Sequence, residues 1–274
     1  MLKTPVVAVV GEKKSGKTSA IEPIVKLLSA KGYRTCVFKH VSEPDFSIDT
    51  PKKDSWRFTQ AGAQTVLTVA RGEVATIRKI DTTSLDLDQV LDFARDGYDL
   101  ILLEGFKGLV EGDERIPKIV TATTRQAAEA RVRESKNILI LDVHGCETSS
   151  ILGIPCLDFL KEPSGLSEFV EDDLIPIIET ARAWQRLPDL DCGKCGYATC
   201  RDLARAVARG EDIEKCDSIS GPISLEVFVG SKRIPMKEFV QDIIRKSVLG
   251  MLSTLKGAEV DGTEGVTISV RKRS

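Results

Sequence analysis

The sequence has no long apolar run, no marked excess of either charge and no even, regularly spaced set of cysteines, and each absence removes a class of function. Nothing approaches the roughly 20 apolar residues that a helix needs to cross a bilayer, so no membrane span is expected. The 39 Lys and Arg stand against 41 Asp and Glu, a net charge of −2 with no basic stripe. The electrostatic footprint of a nucleic-acid binder is therefore missing, and the basic end Arg271-Lys272-Arg273-Ser274 reads as a solvated tail. Strand-forming residues begin at Thr4, which leaves no room for a secretory leader. The seven cysteines, odd in number and mostly grouped towards the C-terminus, read as a metal site plus buried thiols and not as a secreted disulfide framework. A cytoplasmic chain of about two domains, with enough apolar residues for a sizeable core, is the expectation.

What is present begins with Gly11-Glu12-Lys13-Lys14-Ser15-Gly16-Lys17-Thr18, directly after the apolar run 4–10. A strand feeding a glycine-bounded loop into a helix turns successive backbone N–H groups towards the β- and γ-phosphates of a nucleotide, and the helix N-terminus adds partial positive charge. Lys17 reaches the outer phosphates and the Thr18 hydroxyl is placed to ligate the Mg²⁺ that bridges them. Gly11, Lys13, Lys14, Ser15, Gly16, Lys17, Thr18 and Ser19 are the candidate nucleotide contacts. Strands are expected at 6–10, 34–39, 65–69, 74–78, 100–103, 116–120 and 138–143, with helices at 18–30, 55–61, 87–95 and 123–134. Such alternation predicts an α/β fold with a mostly parallel, helix-covered sheet, the nucleotide at the carboxyl ends of its strands. Residues 70–73 read as a hairpin turn between the third and fourth strands.

The apolar run 100–103 ends in Glu104, a candidate Mg²⁺ ligand or water-positioning carboxylate, where metal and γ-phosphate would lie. The segment 38–57 starts at a strand end and carries His40, Asp45, Asp49 and Asp54 on what reads as a switch loop. Asp49 is its candidate metal-side acid, and Asp54 reads equally as a helix N-cap.

Near the C-terminus, Cys192, Cys195, Cys200 and Cys216 have two, four and fifteen residues between them. A close triplet can hold three corners of a cubane while the amphipathic helix 201–209, closed by Gly210, returns the fourth thiolate. Gly193 and Gly196 leave room for the cluster. Four thiolates also suit structural zinc, but such sites commonly use two Cys-x-x-Cys knuckles and only one is present. The stretch resembles the small four-cysteine [4Fe-4S] domain of certain anaerobic redox and one-carbon enzymes. Cys36, Cys146 and Cys156 read as small buried hydrophobes, and His144 as an ordinary loop histidine, with ligand contact as the rival reading. Residues 162–165 read as a linker, 166–187 as amphipathic helix interrupted near Pro176. The last part reads as a ββαβ unit: a strand at 223–229, a turn at 230–231, a returning strand at 232–234, a long helix at 236–255 and a strand at 265–270. The expected division is 1–163, 164–220 and 221–274.

The P-loop, Lys39-His40, Asp49, the run Lys53-Asp54-Ser55-Trp56-Arg57, Ala61-Gly62-Ala63, Leu103-Glu104-Gly105-Phe106-Lys107 and Ile116-Pro117-Lys118-Ile119 together resemble the MobB family of molybdopterin-guanine dinucleotide biosynthesis, over about the first 160 residues. The resemblance implies a P-loop GTP-binding accessory protein with slow GTPase activity, a homodimer, that assists a MobA-type guanylyltransferase and other molybdopterin-handling proteins. It departs at Val41-Ser42, where the family often has histidines, and at Lys52, where it has glycine. There is no Asn-Lys-x-Asp guanine-reading motif; Ser135-Lys136-Asn137 is the nearest string, in the wrong order. GTP, Mg²⁺ and a [4Fe-4S] cluster are the implied cofactors. The alternatives are a nucleotide-gated iron–sulfur electron carrier or cluster-handling ATPase with a redox partner, and an interaction module with a zinc knot.

Overall fold

The computed structural model describes residues 4–94, 97–220, 225–230 and 232–256. The chain divides into two compact units, Met1–Ile175 and Pro176–Ser274. The first opens with β1 (Val6–Gly11), α1 (Lys17–Ala30), β2 (Thr35–Lys39) and α2 (Asp54–Gln60). It continues through β3 (Thr65–Val69), β4 (Val74–Arg78), α3 (Leu87–Leu91), β5 (Leu100–Glu104), α4 (Lys107–Val110), β6 (Lys118–Ala122), α5 (Arg125–Glu134), β7 (Ile138–Val143), β8 (Ser150–Ile151), β9 (Ile154–Leu157) and α6 (Pro163–Phe169).

Among the described residues, seven strands form the main sheet in the order β2-β5-β1-β6-β7-β9-β8. It is parallel from β2 to β9, and β8 closes it antiparallel to β9. The expected mostly parallel α/β architecture is met. β1, β5 and β6 lie at the centre with Val7, Ala8, Val9, Leu100, Leu102, Leu103, Ile119 and Val120 fully enclosed. Strands buried on both faces need apolar residues at successive positions, which is why these segments are continuous runs and not alternating ones. α1 buries Ala20, Ile21, Ile24 and Leu28, a helical spacing, while in contact with β1.

The departures from expectation are local. β6 starts at Lys118 and not at Ile116, because Pro117 has no N–H to give a ladder. Asp54 is the first residue of α2 and not its cap; Lys53 precedes the helix, and Asp54 meets Arg57 at 3.4 Å. β3 and β4 pair antiparallel from Thr65 opposite Arg78 to Val69 opposite Val74, as the turn at 70–73 predicts, but in a two-stranded sheet of their own. Residues 162–165 are the cap and first turn of α6 and not a linker: Glu162 precedes the helix and Pro163 is its first residue, where a missing N–H is harmless. The interruption expected near Pro176 is a π-helical turn, Val170–Leu174, followed by α7 (Ile175–Arg186).

The second unit contains α8 (Cys200–Val207), a 3₁₀ turn (Ile213–Lys215), α9 (Asp217–Ser220), β10 (Phe228–Val229), β11 (Lys232–Arg233) and α10 (Glu238–Leu252). β10 and β11 pair antiparallel, as the first half of the expected ββαβ pattern requires. The strand expected at 265–270 and the tail 271–274 lie outside the described residues, as do 221–224 and Ser231.

Candidate functional site

The loop between β1 and α1 is shaped by two glycines. At Gly11 a Cβ would collide with Ser15 Oγ and with Thr121. Those two hydroxyls are hydrogen-bonded at 2.6 Å, and Ser15 is only 8% exposed, so the loop is stitched to the end of β6. Gly16 has φ 94°, a left-handed conformation that only glycine adopts without strain, and its carbonyl accepts the first helical bond from Ala20. Lys17 folds back over the loop, Nζ donating to the Gly11 carbonyl at 3.1 Å and to the Glu12 carbonyl at 2.5 Å. Burial lowers its ammonium below the ordinary lysine value; Glu104 opposes this, and Lys39 and Arg131 add to it. Lys13 reaches outward to Glu43 at 3.2 Å, Lys14 is exposed with φ 65°, and Ser19 is half-buried on α1.

Parallel pairing of β1 with β5 sets Val9 opposite Glu104 and so brings the acid to the mouth of the loop. Thr18 Oγ1 and Lys39 Nζ both donate to Glu104 Oε1, each at 3.0 Å. The carboxylate is 12% exposed, and both bonds to its Oε1 are charge-assisted. Gly105 at φ 89° and Phe106 at φ 54° turn the chain away at once, and the Phe106 ring tilts against His40 at 5.3 Å. Asp49 is not brought to this oxygen. Its Oδ1 accepts from Ser55 at 2.8 Å and its N–H meets Ser47, while Oδ2 is buried with no partner. A buried carboxylate oxygen lacking a donor is the kind of acceptor that a metal-bound water or ligand N–H would satisfy.

α1 carries the chain from β1 towards β2, and α5 carries it the opposite way from β6 to β7, so the crevice beside the loop is a topological switch point. A small open cleft of about 30 Å³ lies there, lined by Glu12, Lys13, Ser15, Thr121, Thr123 and Arg131 among others. Arg131, its side chain 14% exposed, binds Glu111 at 3.1 Å, Glu134 at 2.9 Å and Glu12 of the loop at 3.4 Å. Thr121, Arg131 and the pairing of Lys39 with Glu104 were not singled out from sequence. Thr121 and Glu104 are set by strand register, 106 residues from Ser15 and 65 from Lys39, and Arg131 meets Glu111 and Glu12 only through the fold, 20 and 119 residues away. Ser135-Lys136-Asn137 precedes β7 at the opposite, amino edge of the sheet, where Asn137 Nδ2 donates to the Glu114 carbonyl at 3.0 Å.

Further along the carboxyl edge, Asp142 on β7 accepts the Phe159 N–H at 3.0 Å. Asp158, 2% exposed, takes N–H groups from Gly145 at 2.7 Å and Leu160 at 3.2 Å and lies 3.4 Å from His144 Nδ1. Burial raises Asp142 to about 6; the Phe159 N–H opposes, Asp158 adds and His144 subtracts. The folded chain therefore holds this proton more tightly than the unfolded one. The stability it contributes is full below about pH 4 and is lost as pH rises through about 6. Asp142→Asn is expected to remove about 1–3 kcal/mol of that dependence, so its thermal midpoint should exceed the native chain's at pH 8 and match it near pH 4. Parallel midpoint curves across that range would refute the assignment.

In the second unit, Cys200 and Cys216 are buried with Ala183, Leu187, Leu203 and Ala204, and Cys195, Tyr197 and Ile213 pack around them. Thr199 caps α8 by accepting the Asp202 N–H, and Asp191 accepts the Cys200 N–H at 2.6 Å. Burial, together with the Cys200 and Cys195 charges, pushes the Cys216 thiol up against the hydrogen bonds of Ser218 and Ile219. Cys192 is half-buried and outside this cluster, and among the described residues no group of three or more His, Cys, Asp or Glu is arranged to hold a metal ion. Gly193 at φ 74° and Gly196 at φ 85° flank Cys195. Thiolates are the donors that iron–sulfur clusters take, and three of the four cysteines lie in or against one apolar cluster, with Cys192 on the stretch that leads into it. Among the described residues no helix is long and apolar enough to cross a membrane.

A family model for "Molybdopterin guanine dinucleotide synthesis protein B" matches residues 6–143, about half the chain. A second model, described as "Putative Fe-S cluster", matches residues 187–217. Over 97% of its length the chain is 28% identical to a Methanocaldococcus jannaschii protein, "Putative molybdopterin-guanine dinucleotide biosynthesis adapter protein", of which it covers 98%. It is 32% identical to the Escherichia coli molybdopterin-guanine dinucleotide biosynthesis adapter protein, over 61% of this chain and 91% of that one. The Bacillus subtilis MobB crystal structure superposes on 61% of this chain and 96% of that one with a TM-score of 0.50 and 25% identity.

Proposed function

The chain belongs to the MobB family, and on that premise we propose that it binds GTP with Mg²⁺ at the P-loop, hydrolyses it slowly, and assists a MobA-type guanylyltransferase in attaching GMP to molybdopterin. The observation that carries this is the convergence of Thr18 and Lys39 on Glu104 beside the β1–α1 loop. Thr18 and Glu104 would hold the Mg²⁺, which supplies neutralising charge between the phosphates. The loop N–H groups and the α1 N-terminus bind the phosphates, and Lys17, released from the Gly11 and Glu12 carbonyls, follows them. Asp49, on a loop whose Oδ2 lacks a donor, would approach from the opposite side to position metal or water. Adding the chain to a MobA-type guanylyltransferase with molybdopterin and GTP should raise the yield of the dinucleotide; an unchanged yield would refute the accessory role.

Homodimerisation is supported by the hairpin β3–β4. In this two-stranded sheet, which contacts α2 through β3, Leu67, Val69 and Val74 remain 61%, 71% and 62% exposed. A second copy would cover them.

Cys192, Cys195, Cys200 and Cys216 would ligate a [4Fe-4S] cluster, which supplies one-electron redox capacity or a rigid cross-link. The match at 187–217 and the packing of Cys195, Cys200 and Cys216 in or against one apolar cluster support it. Protein purified without oxygen should hold about four iron atoms per chain and absorb in the visible; stoichiometric zinc without iron would overturn the reading.

A further inference from the structure

Two cysteines with no role in either site lie together at the carboxyl edge of the first unit. Cys146 is on the turn that follows β7, and Cys156 is on β9, the adjacent parallel strand. Leu141 stands opposite Cys156 in that register. The Cys146 N–H donates to the Val143 carbonyl at 3.0 Å, the Gly145 N–H to Asp158 at 2.7 Å, and the Cys156 N–H to the Ser149 carbonyl at 2.9 Å. Ten residues apart in sequence, the two sulfurs are thereby held 2.7 Å from one another, Cys156 donating to Cys146. We propose that Cys146 and Cys156 form a reversible dithiol–disulfide couple, a thiol-modification site separate from the four cysteines of the second unit.

The two thiols have distinct parts. Cys156 is 2% exposed, and burial together with the Cys146 partner pushes it up to about 12. Cys146 is partly exposed; burial works against its thiolate, but the hydrogen bonds with Cys156 and Thr148 outweigh it and bring the thiol below the ordinary cysteine value. Cys146 is thus the attacking sulfur and Cys156 the resolving one. The oxidant is a small-molecule disulfide of the glutathione type. Cys146 loses its proton to solvent and attacks one sulfur of that disulfide, releasing one small thiolate and forming a mixed disulfide. Cys156 then passes its proton to a leaving thiolate and displaces the second small thiol from Cys146. Two protein S–H bonds and one S–S bond of the oxidant are exchanged for one protein S–S bond and two small-molecule S–H bonds, so atoms and electrons balance. The bond ties the turn 144–149 to β9 on the same edge as the P-loop.

The test uses the full chain under anaerobic conditions in buffers running from reduced to oxidised glutathione, with acid quench, alkylation and tryptic digestion. Residues 137–161 form one tryptic fragment that carries Cys146 and Cys156 and no other cysteine. Its mass should pass from the doubly alkylated form to an unalkylated form lacking two hydrogens, and return on adding dithiothreitol. Cys156→Ser should instead retain one glutathione on Cys146, and Cys146→Ser neither glutathione nor an internal bond. Double alkylation at every ratio, or a persistent mixed disulfide on the native chain, would overturn the proposal. The native chain alone decides this, whatever the folding of the variants.

Discussion

Lys17→Ala is expected to weaken nucleotide binding by two to three orders of magnitude while leaving the fold intact. In the structure Lys17 Nζ is held by the Gly11 and Glu12 carbonyls, which keeps the ammonium over the loop that the phosphates would enter. Burial lowers its pKa, and the largely enclosed Glu104 carboxylate opposes this. Removing the lysine takes away charge-assisted bonds to the outer phosphates, each about 1.5–3 kcal/mol, and about 1.4 kcal/mol accounts for a tenfold change in affinity. The two carbonyls left behind lie on a solvent-accessible loop and can turn to water, so unfolding should be little affected. Calorimetry of native and variant chains with Mg²⁺ reads the effect directly, and affinity retained within tenfold would remove the phosphate assignment.

Lys118→Met is expected to destabilise the chain by about 2–4 kcal/mol without touching the nucleotide edge. Lys118 is fully enclosed, and its Nζ donates to the carbonyls of Asp113 at 2.7 Å, Ile116 at 2.8 Å and Lys136 at 2.8 Å. Burial lowers its pKa, with Asp113 and Glu111 opposing. The ammonium fills a gap at the amino edge of the sheet where the β6–β7 register shifts between Lys118 and Ile119, and so ties the loop before β6 to the turn before β7. Methionine keeps the volume but leaves three carbonyls without their donor. The midpoint of thermal unfolding should fall by about 5–15 °C. An unchanged midpoint would mean that the carbonyls find other donors and that the lysine is incidental.

The motifs were legible in sequence because they are local. Gly11, Gly16, Lys17 and Thr18 fall within one strand–loop–helix unit, and Glu104 ends an apolar run that can only be a buried strand. The central strands were legible for the same reason, since burial on both faces writes itself as an unbroken apolar run. The short β8 and β9 were not: Gly153 and Pro155 punctuate the run, and two-residue pairings leave no periodicity. Contacts set by strand register were equally invisible. The bond from Ser15 to Thr121 spans 106 residues, and the approach of Cys146 to Cys156 depends on β9 lying beside β7. Lys118 shows the opposite failure, because a lone lysine at a strand start carries no sign that three carbonyls surround it. The spacing of the four cysteines marks them as a set, but what the structure shows is an apolar cluster that includes or contacts three of them, and among the described residues no three are placed to hold a metal ion.

Choice of nucleobase rests on family membership and on no residue of the cleft beside Glu12, Thr121 and Arg131. An anaerobic calorimetric competition of GTP against ATP on the full chain, with Mg²⁺ present, therefore bears on the proposed role most directly. GTP should bind at least about tenfold more tightly, a difference of about 1.4 kcal/mol. Equal affinity or a preference for ATP would contradict a guanylyl-transfer accessory and point instead to a nucleotide-gated iron–sulfur carrier or a cluster-handling ATPase.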